Sequence, residues 1–199
     1  MFTNEIVADV PPAIVYPHTH AAAPATKPYQ SNIDFRTITS QSSLIDGVVE
    51  IVKKFENSQS NPHGGFNKTS HKWFPHHSLE GGSDTIAYGH KILPGENFSG
   101  GLSEHEALNL LKKDIEAKMK LAKTKIHNFE TLTPSAKTAI INAFYRGDIG
   151  KNTIHLINQN NLSAAAKEYL NHSEYKHTSN GGVKKRMELN AALMAGKIA

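Results

Sequence analysis

The segment from Ser103 to Ala122 constrains the fold more than any other part of the chain. Ser103 followed by Glu106 is a capping box, in which the serine hydroxyl and the glutamate carboxylate satisfy N–H groups that a helix start leaves open. Behind it Ala107, Leu108, Leu111, Ile115, Met119 and Ala122 recur at three- and four-residue spacing and form one apolar stripe. A helix carrying a stripe of about 15 residues is over ~20 Å long, enough to join two separately packed parts.

Other helices follow from the same kinds of signal. Thr133 before Pro134 marks a helix start and Gly147 a stop, and the intervening AIINAFY is apolar nearly all round, which predicts a central buried helix. Upstream, a helix should begin near Ser43, with Asp46 completing a capping-box-like pair and Leu44, Val48, Ile51, Val52 and Phe55 as its buried stripe. It should end around Glu56, because NSQSNPHGG is all turn chemistry. Short helices are expected near 153–159 and 163–170, and a last one from about Gly182 to Met194.

Residues 1–40 are rich in proline (Pro11, Pro12, Pro17, Pro24, Pro28), so no helical period survives there and the segment reads as an arm or linker. Residues 41–199 are then the folded domain, a length that suits one hydrophobic core. With no cysteine in 199 residues, neither disulfides nor thiol chemistry enter. The first residues lack the basic start and apolar run of an ordinary signal peptide, and no stretch reaches the ~18 apolar residues of a membrane span. A polyanionic partner is suggested instead by asymmetry: up to Leu111 there are 7 basic against 11 acidic residues, a net −4, and from Lys112 on 15 against 7, a net +8. That pattern suits a polyanion meeting one face, or simply a solvated lysine-rich surface. Nucleic acid is not expected, since the basic residues are not interleaved with stacking aromatics.

Between these helices lies EGGSDTIAYGH, residues 80–90. The glycine pair allows a reversal, and Thr85, Ile86 and Tyr88 favour an extended strand after it. A period of two would place Thr85, Ala87 and Gly89 on one small, polar face that suits a cleft wall, with Ile86, Tyr88 and His90 on the other. The loop before it holds the single Trp73, which either stacks on a ligand or covers core.

A glutamate at the end of the first helix, an acidic loop position and then Thr85-Ile86-x-Tyr88-Gly89-His90 resemble the signature of the phage-type lysozymes, glycoside hydrolase family 24. The likeness extends over residues 43–196. It implies an α+β, lysozyme-like fold: a small lobe with a short antiparallel sheet, a long connecting helix and a helical large lobe. It also implies hydrolysis of the β-1,4 bond between N-acetylmuramic acid and N-acetylglucosamine in peptidoglycan. Two departures stand out. Glu56 and Thr85 are 29 positions apart, about twice the family's separation, so residues 57–78 read as an insertion. The usual aspartate six residues before the threonine is Leu79, and the nearest acid is Glu80.

Glycoside hydrolysis needs one protonated carboxyl and a second carboxylate or a positioned water. Glu56 suits the acid, since a helix C-terminus and the apolar Phe55 both favour its neutral form. By the resemblance, Thr85 helps hold the attacking water, Glu80 supplies the second carboxylate with Asp84 as the fallback, and Tyr145 and Arg146 line the cleft. His90 reads as a structural histidine bonded to an acid. No cofactor or metal is implied, and the partner is peptidoglycan. The enzyme is expected as a monomer that stays in the host cytoplasm until a holin releases it to the wall, or as a virion component.

Three alternatives stay open. A lytic transglycosylase would share the fold without the attacking water. A zinc-dependent wall amidase or peptidase is suggested by five of the 12 histidines, His63, His71, His76, His77 and His90, lying near Glu80 and Asp84, although no HExxH spacing occurs. A domain that only binds wall is suggested by Leu79 at the usual acid position.

Overall fold

The structure, a computed structural model, describes residues 41–55, 64–78, 82–179 and 181–197. Among them the chain is mixed α+β and mostly helical, with seven helices and small antiparallel sheets. In order these are α1 (Gln41–Phe55), β1 (Phe66–Asn67), β2 (Lys72–Trp73), β3 (His76–His77), β4 (Asp84–Ile86), β5 (His90–Lys91) and α2 (Glu104–Lys125). A 3-10 turn (Phe129–Thr131) then leads into α3 (Pro134–Arg146), α4 (Lys151–Asn158), α5 (Leu162–Tyr169), α6 (Ser173–His177) and α7 (Gly181–Met194). The arm expected over 1–40 lies outside the described residues.

The long helix forms as its sequence dictates. Ser103 and Glu106 make both bonds of the capping box, and the 22 residues of α2 extend about 33 Å at 1.5 Å per residue. Ala107, Leu111, Ile115, Met119 and Ala122 are buried. Each large member contributes roughly 1.5–3 kcal/mol of burial, which far outweighs the propensity differences along the helix. Helix α3 is the centre of the helical part. Thr133 caps it by accepting from Ala136 N, Gly147 ends it at φ 74°, and every residue from Thr138 to Phe144 is buried. It packs against α7, α2 and α1, and α5 packs on both α4 and α7.

Helix α1 departs from its expected register. It already runs at Gln41, so Asp46 stands inside the helix, where it pairs with Lys112 of α2 at 2.9 Å instead of capping. The buried face is Ile45, Val48, Val49, Ile51 and Val52, while Leu44 and Phe55 are only half-buried. The face widens because α1 meets α2, α3 and α7 together.

The stretch expected to be a loop is partly sheet. β1 and β2 form a hairpin pairing Phe66 with Trp73, and β3, β4 and β5 form a separate three-stranded antiparallel sheet in that order. Trp73 is fully buried, its ring 4.8 Å from that of Phe66 and 5.3 Å from that of Tyr88, so it is core and not a stacking platform. Its backbone bridges Leu102 just before α2, which ties the hairpin to the helix start. Signals this short, two residues per strand, carry no periodicity and so were not readable from sequence.

Candidate functional site

The TIAYGH motif is a hairpin, not a continuous strand. β4 ends at Ile86, the chain turns through Ala87, Tyr88 and Gly89, and it returns in β5. Ala87 sits at φ 55° and Gly89 at φ 97°, with Gly89 N–H donating to the Ile86 carbonyl at 3.2 Å. The alternation expected along 85–90 therefore fails beyond Ile86: Ile86, Ala87 and Tyr88 are buried in succession. A left-handed alanine is uncommon and costs of order 1 kcal/mol or more, so its surroundings must hold it.

Those surroundings centre on Tyr88. Its hydroxyl donates to Glu104 Oε1, and the indole N–H of Trp73 donates to Glu104 Oε2 at 2.8 Å. One carboxylate at the start of α2 thus anchors two aromatic side chains of the sheet region, Trp73 and Tyr88. Burial, and then the bond to Glu104, push the Tyr88 phenol well above its ordinary range, so it stays protonated and keeps donating. On the other side of the turn, Tyr145 at the end of α3 donates its hydroxyl to the Tyr88 carbonyl at 2.7 Å. The hairpin tip is held from α2 and from α3 at once.

His90 adds a third tie. Its Nδ1 lies 2.9 Å from Asp114 of α2, and its Nε2 lies 3.0 Å from Glu96 in the following loop. Burial alone would lower the imidazole, but the bonds to Glu96 and Asp114 outweigh it and the net shift is upward. Glu96 is held below the usual carboxylate range, first by the Leu93 N–H and then by His90. Here His90 is a structural group bonded to two acids.

Thr85 lies on β4 directly opposite His76 of β3, and both are half-buried. Its Oγ1 is 3.5 Å from His76 Nε2 and 3.4 Å from the His76 carbonyl. Asp84 faces the other way and pairs with His77 at 2.6 Å on the exposed side. Of the expected site residues, the structure brings Thr85 and Tyr145 to the same hairpin. Arg146 stands half-buried beside Tyr145 at the end of α3. Glu56 and Glu80 lie outside the described residues. Among the described residues no three His, Asp or Glu side chains converge as a metal site, and no helix is long and apolar enough to cross a membrane.

Sequence reasoning missed Glu104, Glu96 and Asp114. Glu104 in a first helical turn reads as ordinary dipole chemistry, and its two aromatic donors come from 16 and 31 residues away. Asp114 does carry a signal, three residues after buried Leu111 and one before buried Ile115, next to the apolar stripe. A second polar cluster was also missed. Fully buried Arg186 donates to Asp148 at 2.7 Å, Tyr169 donates to the same carboxylate at 2.9 Å, and Asn190 and Asn142 extend the chain of bonds. A polar pocket of about 240 Å³ opens beside it, lined by Asp148, Thr153, Glu168 and His172 among others.

No protein-family model matches the chain, and no curated protein matches it.

Proposed function

We propose that the chain is a peptidoglycan muramidase of the phage-type lysozyme kind, with a lysozyme-like arrangement of sheet, connecting helix and helical body. It hydrolyses the β-1,4 bond between N-acetylmuramic acid and N-acetylglucosamine. The observation that supports this most is the setting of the TIAYGH motif, whose strained tip is fixed from α2 by Glu104 and Asp114 and from α3 by Tyr145. Such a tip presents Thr85 from a rigid frame, as a water-holding hydroxyl requires.

In this reading Glu56 is the general acid that protonates the leaving oxygen, and Thr85 holds the water that attacks the anomeric carbon. Glu80 stabilises the positive charge that develops there. Asp84 is the weaker choice for that role, because its carboxylate is engaged by His77 on the exposed side of the sheet. Tyr145 and Arg146 line the cleft from α3. A water-holding threonine favours hydrolysis over the transglycosylase outcome. Against a zinc-dependent wall peptidase stand the other commitments of the histidines: His90 to Asp114 and Glu96, and His77 to Asp84. Delivery through a holin, or carriage in a virion, would bring a monomeric enzyme to the wall.

Mass spectrometry of digested peptidoglycan tests the reaction class. Reducing muramic ends support the hydrolase, anhydro ends a transglycosylase, and cut stem peptides an amidase or peptidase. Glu56→Gln keeps the shape but cannot deliver a proton, so kcat should fall by roughly 10² or more while wall binding persists. Near wild-type lysis by that variant would sink the assignment.

A further inference from the structure

We propose that the polar pocket between the start of α4 and the end of α5 binds a small free α-amino acid, with its carboxylate at the α4 N-terminus and Thr153 and its ammonium at Glu168. The proposal uses none of the residues assigned to wall cleavage and does not depend on that assignment.

One end of the pocket offers donors. Helix α4 starts after Gly150 with no side-chain cap, so the first N–H groups of the helix, from Lys151 to Thr153, carry no cap of their own. The approach to them is open, since a Cβ added at Gly150 would meet nothing within 4 Å. A bare helix start attracts any anion and does not by itself make a site. Thr153 supplies what is missing. It lines the pocket, it is only 2 % exposed, and among the described residues its hydroxyl has no hydrogen-bond partner. A buried hydroxyl left unbonded is destabilising, and a carboxylate seated at the helix start would accept from it. On the facing wall, His172 Nδ1 accepts the Glu174 N–H at 3.2 Å, which leaves the ring proton on Nε2 as a further donor.

The other end offers a negative charge. Of the two carboxylates that line the pocket, Asp148 is already satisfied: Arg186 donates to one oxygen and Tyr169 to the other. Glu168, half-buried in the last turn of α5, receives only the neutral amides of Asn152 at 3.2 Å and Asn171 at 3.3 Å. Its charge is therefore not offset by a cation among the described residues, and the negative end of the α5 dipole lies on the same side.

A ligand that satisfies both ends carries an anion and a cation a few atoms apart. The volume, about 240 Å³, is below the ~300–1,000 Å³ of pockets for drug-sized molecules, so the ligand is small. A free α-amino acid has both groups on one carbon, whereas a peptide bond separates them. Inorganic phosphate would meet the helix start but would face Glu168 as a like charge.

Glycine, the smallest such ligand, titrated into the full chain and followed by nitrogen–proton correlation spectra, tests this. Saturable shifts should appear at the amides of Lys151, Asn152 and Thr153, with a Kd in the millimolar range. Acetate and methylamine, which each carry one of the two groups, should bind roughly tenfold more weakly or less well still. Thr153→Val, which keeps the shape and removes only the hydroxyl, and Glu168→Gln should each weaken glycine roughly tenfold. Gly150→Ser leaves the core untouched and turns its own hydroxyl to the helix start, so it should weaken glycine even if Thr153→Val fails to fold. The proposal is overturned if those amides show no saturable shift, or if acetate or inorganic phosphate binds as tightly as glycine. It is equally overturned if Glu168→Gln and Gly150→Ser leave glycine affinity within about twofold of wild type.

Discussion

At the scale of single residues, His90 makes the stability of the hairpin tie depend on pH. The histidine is raised above its ordinary value of 6.5 on folding, so its contribution is fully present below about pH 6.5 and is lost as pH rises through the folded value. Glu96 is depressed, so its contribution is present above its ordinary value of 4.5 and is lost as pH falls. The tie is therefore strongest in the mildly acidic range between those two values. Replacing His90 with Gln should lower the melting temperature more at pH 5.5 than at pH 8.5, and an equal loss at both would show that the imidazole is not charged in the fold. Gly147 offers a cleaner case, because at φ 74° an added Cβ would meet nothing within 4 Å. Gly147→Ala should cost about 1 kcal/mol from backbone strain alone. A shift of about 2–4 °C in thermal midpoint would carry that cost. No change would mean that the chain relaxes out of the left-handed conformation. Thr85, Tyr145 and Arg146 were singled out by the resemblance, which carries no sign that Tyr145 bonds the Tyr88 carbonyl or that Thr85 lies opposite His76. Glu104 was not, because its role depends on Trp73 and Tyr88 arriving from elsewhere in the chain.

At the scale of elements, sequence was informative where a periodic face and a cap agree. The Ser103–Glu106 box sets the start of α2 and the Thr133-Pro134 start with its Gly147 stop sets both ends of α3, whereas α2 runs three residues past Ala122 to Lys125, where no stop signal marks it. Helix α1 was found but rotated, since Leu44 and Ile45 are both apolar and only the tertiary neighbours select Ile45 for burial. Helix α6 has five residues and no buried side chain, so no apolar period marks it. The same limit hid the strands of two residues and turned TIAYGH from an expected strand into a hairpin tip. The buried network on α5, α7 and the loop after α3 was equally hidden, because arginine at 186 reads as surface until Asp148 and Tyr169 are placed against it. Its energetics follow from burial. Arg186→Met would strand the Asp148 carboxylate in the core and should cost about 3–5 kcal/mol, while adding Asp148→Asn should restore part of that. Chemical denaturation of the two variants checks it, and a double variant no more stable than the single would show that the charge of Asp148 is not what the arginine offsets.

At the scale of the whole molecule, the two sign-biased halves of the sequence bear, on the muramidase proposal, on how the protein would meet a polyanionic wall. The positive excess after Lys112 is not all available. Lys112 is paired with Asp46, Lys123 and Lys137 share Glu130, and Arg186 is buried on Asp148. Exposed lysines remain along the solvent side of α2, at Lys113, Lys120 and Lys125, interrupted there by Glu116. A polyanionic wall would feel these exposed, solvated charges as a diffuse field. Attraction of that kind acts over the Debye length, which shrinks from about 10 Å at 0.1 M salt to about 3 Å at 1 M. Sedimentation with purified peptidoglycan should therefore show binding that weakens steadily as salt rises over that range. Cleavage of short soluble muropeptides, which rely on contacts at the bond itself, should change much less. Binding that stays constant across the range would make the charge asymmetry incidental.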